Sequence, residues 1–187
     1  MGLASYFILV PFLIMGVILI IRLIALRYAE SEILGYAPIV KIHFYCGKIA
    51  LFSTWLFFIA KALKPTLGYI EPPDYLIWTA IALLYIGAAG MISGMLELGL
   101  SLKIGLPVQN ITLKTKGIYR ISRNPLYASA IIIAIASCLC FPDLINVTFT
   151  VYGIIIHHHI IMGEEKYLKS QFGINYENYR EKVHRYL

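Results

Sequence analysis

Long apolar runs, each close to the length of a bilayer crossing, alternate with short polar segments along this chain. A transmembrane helix needs about 20 mostly apolar residues. Residues 6–24, 44–63, 75–96, 126–141 and 144–162 meet or approach that length, the fourth being the shortest. The pattern predicts an all-α membrane protein of about five transmembrane helices. Pro142 and Asp143 form a tight turn, so the last two spans make an antiparallel C-terminal hairpin. Residues 124–127 and 159–165 then emerge on the same membrane face.

The connections carry their own signals. Pro11 is tolerable inside a membrane helix. Residues 65–74 form a short loop, and Asp74 is placed to cap the helix that follows. Gly90 and Gly94 make a GxxxG spacing that lets helices approach closely, either within one chain or in a homodimer. Gly99, Gly105 and Pro107 rule out a continuous helix over residues 98–123, and a loop of that length in a compact protein is usually functional. Beyond Met162, Leu168, Phe172 and Tyr176 keep a helical spacing that Gly173 interrupts. Tyr176, Tyr179 and Val183 suggest a last amphipathic piece that closes over a site or lies on the interface.

Composition leaves no room for a soluble domain: of 187 residues, 59% are hydrophobic, against about half in soluble proteins. Residues 1–97 read as a three-helix membrane anchor, and residues 98–187 as a catalytic region of loop, hairpin and terminal helix. The net charge of +6 does not point to nucleic acid. Arg22, Arg27 and Lys41 lie between the first two spans, Lys103, Lys114, Lys116, Arg120 and Arg123 between the third and fourth, and Lys166, Lys169, Arg180, Lys182 and Arg185 after the fifth. The positive-inside rule puts this side, with the C-terminus, in the cytosol and the N-terminus outside. Cys46, Cys138 and Cys140 fit neither a zinc site nor a disulfide framework. His157, His158 and His159 are consecutive, so on a helix they diverge by about 100° each and cannot share one metal ion.

Taken singly, the remaining polar residues have plain readings. Asn124-Pro125 is a helix start, Tyr119 and Tyr127 are interfacial aromatics, and Glu164 and Glu165 end a helix. Their convergence on one face makes them a candidate site.

The two polar blocks also resemble a known pattern. Leu113-Lys114, Gly117, Tyr119, Arg123-Asn124-Pro125 and Tyr127, followed by Glu164-Glu165, Leu168, Phe172-Gly173, Tyr176 and Tyr179, are similar to the integral-membrane methyltransferases. That group joins isoprenylcysteine carboxyl methyltransferases with phospholipid N-methyltransferases. The resemblance implies S-adenosylmethionine bound without a Rossmann fold, in a cytosolic pocket, with a lipophilic or lipid-like acceptor reaching it laterally through the membrane. It assigns cofactor contacts to Ile111, Thr112, Leu113, Lys114, Tyr119, Asn124, Pro125, Leu126, Tyr127 and Glu164.

Two positions depart from the pattern. Asn124 replaces a motif His and cannot titrate near neutral pH. Ile160 stands where the isoprenylcysteine enzymes place an Arg for the substrate carboxylate, which makes that substrate a poor expectation; Arg123 and Arg185 are the candidate replacements. A protonated amine acceptor needs a base, for which Glu165 and His159 are candidates. Nitrogen, oxygen and sulfur acceptors stay open, as do an NADPH-dependent sterol-type reductase and a non-catalytic membrane scaffold.

Overall fold

The computed structural model describes residues 2–29, 34–102, 104–106 and 112–186. Among these residues six α-helices follow one another: α1 (Leu3–Tyr28), α2 (Lys41–Leu63), α3 (Asp74–Leu98), α4 (Pro125–Cys140), α5 (Leu144–Phe172) and α6 (Ile174–Lys182). Short 3₁₀ turns at Gly99–Ser101 and Gly117–Arg120 lie between α3 and α4.

Among the described residues four helices, α1, α2, α3 and α5, are long and apolar enough to cross a membrane. The fourth expected span is the short one: α4 has 16 residues, about 24 Å against a hydrocarbon core of about 30 Å, and it carries the chain back between α3 and α5. By contrast, α5 has 29 residues, about 43 Å. Its last turns, which carry Glu164 and Glu165, therefore project past the apolar layer. Asp74 is the first residue of α3 rather than its cap, where its charge still favours the positive end of the helix dipole.

Close packing rests on small residues, because lipid removes the hydrophobic drive between helices. The most extensive contact joins α3 to α4. A Cβ on Gly90 would lie 2.4 Å from Ser129 Oγ, and one on Gly94 2.7 Å from Leu126 Cδ2. The Gly90/Gly94 stripe is thus used inside the molecule, the first of its two expected readings. In the same way α2 meets α5, with Gly47 against Ile156 and Gly153 against Leu51. Phe7 on Trp78 and Phe12 on Phe58 seat α1 against α3 and α2.

Several polar groups inside the apolar layer find partners within the bundle. Asn146 is fully buried and donates to Phe141 O at 2.9 Å and Ser137 Oγ at 3.0 Å. Ser137 Oγ donates to Thr54 O at 2.6 Å, which ties the hairpin to α2. At the turn, Asp143 caps α5 by accepting from the Ile145 amide at 2.9 Å.

These contacts are antiparallel between α2 and α5, α3 and α4, and α4 and α5. The start of α2, the end of α3, the start of α4 and the end of α5 consequently gather at one end of the bundle. Over that end, Gly35 to Tyr36 and Ile104 to Leu106 pair by backbone hydrogen bonds of 2.7–3.0 Å.

Candidate functional site

The site begins where α4 begins. Asn124 occupies the cap position and Pro125 the first helical one, but the Asn124 side chain makes no cap bond. Its Nδ2 donates instead to Glu165 Oε1 at 3.0 Å and to Arg185 O at 3.2 Å. The local helix-start signal is real, and its side chain is diverted to tertiary contacts.

Around Glu165 the polar groups close on themselves. Its carboxylate also accepts from Arg123 Nε at 3.2 Å and NH2 at 3.4 Å, and from Arg185 Nε at 3.2 Å and NH2 at 3.0 Å. Arg123 NH1 donates to the carbonyls of Arg180 at 3.0 Å and Val183 at 2.7 Å. The Arg123 amide donates to His184 O at 2.9 Å. This cluster straps the chain after α6 onto the start of α4. The bidentate contact with Glu165 raises the Arg185 guanidinium above its ordinary value.

Glu164 faces elsewhere. It accepts from Tyr127 OH at 2.7 Å, and the same hydroxyl accepts from Lys48 Nζ of α2 at 3.3 Å. The ammonium of Lys48 also lies over the rings of Tyr127 at 4.7 Å and Phe44 at 5.3 Å. Among the described residues Lys48 makes no ion pair within 4.0 Å. This chain of groups lines a cavity of about 910 Å³, large for a single small-molecule site.

Tyr119 forms another wall from the Gly117–Arg120 turn. Gly117 has φ +55°, and a Cβ there would fall 1.8 Å from Glu97 Oε1, so only glycine lets the turn sit against the end of α3. Tyr179 OH donates to Tyr119 O at 2.6 Å and docks α6 on that wall. Burial pushes the Tyr119 phenol well above its ordinary value, and those of Tyr176 and Tyr179 up to about 12. All three are neutral donors at physiological pH. Among the described residues, neither the buried Tyr176 hydroxyl nor, deeper along α2, the Trp55 indole N–H has a hydrogen-bond partner, and both residues line the cavity.

The structure brings Thr112, Leu113, Lys114, Tyr119, Arg123, Asn124, Pro125, Leu126, Tyr127 and Glu164 to the cavity wall. Ile111 lies outside the described residues. Glu165, His159 and Arg185 are not on that wall. His159 is exposed and, with His158 and Tyr186, borders a separate apolar cavity of about 520 Å³. His157 lines the main cavity instead. The helix period explains the difference: His157 is seven residues before Glu164, within about 20° of it around α5, whereas His159 is about 140° away. Ile160 is fully buried and off the wall, and the cavity's cation comes from Lys48 on α2. Near the start of an apolar span, Lys48 reads locally as a lysine that snorkels to the interface, although an ionisable residue in such a span is itself a signal of function. No group of three His, Cys, Asp or Glu capable of holding a metal occurs among the described residues.

These features define an all-helical membrane protein with a ligand-sized, charged cavity at one end of its bundle. Residues 75–175 match the profile of the phospholipid methyltransferases, and with more than half of its length matched the chain belongs to that family. Membership implies methyl transfer to a lipid-like substrate. The matched stretch runs from α3 into α6 and leaves out α2. Comparison with curated proteins and with solved structures gives no significant match.

Proposed function

We propose that this protein transfers a methyl group from S-adenosylmethionine to a lipid-like acceptor at the cytosolic membrane face. The observation that carries the reading is the Glu164–Tyr127–Lys48 chain on the wall of a cavity formed by both polar blocks. Its donor set suits the cofactor's parts. Glu164 offers a carboxylate to an ammonium. Tyr119 and Tyr127 present aromatic surface to a sulfonium. The unpartnered Tyr176 hydroxyl is a buried donor in want of an acceptor.

When bound, the cofactor supplies an already activated methyl group, so the protein has to align the acceptor and exclude water. The strap held by Arg123, Glu165 and Arg185, with α6 docked through Tyr179, closes the polar end. Glu165 is a structural anchor in this scheme rather than a base. His157 takes the place proposed for His159: its Nδ1 lies 2.8 Å from the Gly153 carbonyl, which can only accept, so Nε2 is the nitrogen free to take a proton from an amine acceptor. The cytosolic assignment rests on the Lys and Arg residues clustered at the site end. Labelling of single cysteines at Gly2 and Tyr186 from opposite sides of the membrane tests it; labelling of both from one side rules it out.

Calorimetry on detergent-solubilised protein with S-adenosylhomocysteine, then with NADPH, tests the cofactor. Saturable binding of the first alone is expected. Binding of NADPH alone would overturn the reading in favour of a reductase.

A further inference from the structure

The cavity extends beyond the residues assigned to a cofactor. From Lys48 it continues between α2, α3 and α4, along Leu51, Trp55, Met91 and Ala130. This lower slot is apolar but for one atom, the Trp55 indole nitrogen, which is buried and has no partner among the described residues. A buried N–H without an acceptor is costly, and in native proteins it usually marks a missing partner. An empty apolar slot would not call for such a donor. At the top of the slot Lys48 is held by one hydroxyl and two ring faces, and by no carboxylate within 4.0 Å among the described residues.

Resting on the methyltransferase reading, we propose that Lys48 and Trp55 form the acceptor subsite: Lys48 pairs with the anionic group of the lipid, and Trp55 donates to a carbonyl oxygen in its upper chain region. The two residues are seven apart on α2, so they share a face and stand two turns, about 10 Å, apart along the axis. An occupant that matches both has an anion at the polar end, an ester carbonyl a few bonds below it, and hydrocarbon against Leu51 and Met91. A diacyl glycerophospholipid has this order of groups. A prenyl chain has no acceptor for the indole, and a neutral lipid has no anion for Lys48. Both residues lie outside the stretch that matches the family, so acceptor choice is set by α2 while the polar blocks bind the cofactor.

Binding of three short-chain probes to the full-length protein tests this: dihexanoyl glycerophosphoethanolamine, its diether counterpart without carbonyls, and dihexanoylglycerol without phosphate. Wild type is expected to bind the ester phospholipid about 5–10-fold more tightly than the diether, the worth of one hydrogen bond. In Trp55→Phe that preference disappears. Lys48→Gln weakens the phospholipid about 10-fold and leaves the neutral lipid unchanged. S-adenosylhomocysteine affinity, measured on the same sample, stays within twofold in Trp55→Phe and reports that it is folded; an unchanged thermal unfolding midpoint in detergent reports the same for Lys48→Gln. Equal affinity of wild type for ester and diether overturns the Trp55 assignment. A loss of S-adenosylhomocysteine binding in Lys48→Gln, with lipid binding intact, overturns the Lys48 assignment and gives the lysine to the cofactor carboxylate. If wild type binds the phospholipid as expected but no S-adenosylhomocysteine, the subsite stands and the methyltransferase reading falls.

Discussion

Glu164 and Glu165 are adjacent on α5, have the same side chain, and lead separate lives. Glu165 is buried and receives five hydrogen bonds from Arg123, Asn124 and Arg185. Among the described residues Glu164 receives one side-chain hydrogen bond, from Tyr127, and it borders the cavity. A carboxylate can accept about four well-aligned bonds, so Glu165 has no capacity left for a substrate and Glu164 has most of its own. The step of about 100° between them on the helix assigns one to the strap and the other to the cavity. A paired-glutamate motif therefore need not be a pair of catalytic acids: one member can build the wall that the other uses.

The largest effect that separates the two is on stability. Glu165→Ala leaves Arg123 and Arg185 without their carboxylate, and breaking a buried ion cluster costs about 3–5 kcal/mol. The value expected here is about 3 kcal/mol, since the Arg185 side chain is 28% exposed and solvent screens it. Thermal unfolding in detergent reads it. The same division runs through the histidines. With an amine acceptor, His157→Ala is expected to lower kcat by about 100-fold or more and leave S-adenosylhomocysteine binding in place, while His159→Ala changes neither. Equal losses in both would place the base outside α5's cavity face. Next comes Glu164→Gln, which keeps shape and removes charge. S-adenosylhomocysteine should bind about 10–100-fold more weakly, a loss of about 1.5–3 kcal/mol, while the unfolding midpoint hardly moves. A midpoint that falls as far as that of Glu165→Ala would erase the distinction between the two residues.

How much of this was visible in the chain depends on the kind of signal. The hairpin turn at Pro142-Asp143, the helix start at Asn124-Pro125 and the break at Gly173 are local, and each holds in the structure. The meeting of the two polar blocks followed from hairpin topology and also holds, through the 2.7 Å contact of Tyr127 with Glu164. Three features depended on tertiary neighbours and were not legible. The roles of Glu164 and Glu165 are split by what packs on each face of α5. The Gly90/Gly94 stripe has the same spacing whatever packs on it, and only the packed structure shows α4 against it. Lys48 and Trp55 reach the cavity because α2 lies against α5 and α4, a contact between segments about a hundred residues apart that no local pattern encodes. The face of α5 that holds His157 was within reach, since the seven-residue spacing to Glu164 is arithmetic.

A third carboxylate calibrates the comparison at its weak end. Glu177 on α6 contacts Lys169 and, at 3.5 Å, Arg180, much as Glu165 contacts two arginines, but this cluster lies at the surface. The Lys169 contact holds the Glu177 carboxyl below its ordinary value of 4.5. A lowered folded-state value means that the pairing contributes stability above the unfolded-state value, and that this contribution is lost as the pH falls through the lower, folded-state one. At neutral pH it is fully present, yet exposed pairs contribute little and salt screens them. Glu177→Gln should leave both the unfolding midpoint and S-adenosylhomocysteine binding unchanged at high ionic strength. A carboxyl-carbon NMR titration of wild type should show Glu177 titrating below 4.5, with the displacement shrinking as salt is added. A displacement indifferent to salt, or a midpoint drop like that of Glu165→Ala, would mean that α6 is pinned by this surface cluster as firmly as the strap is by the buried one.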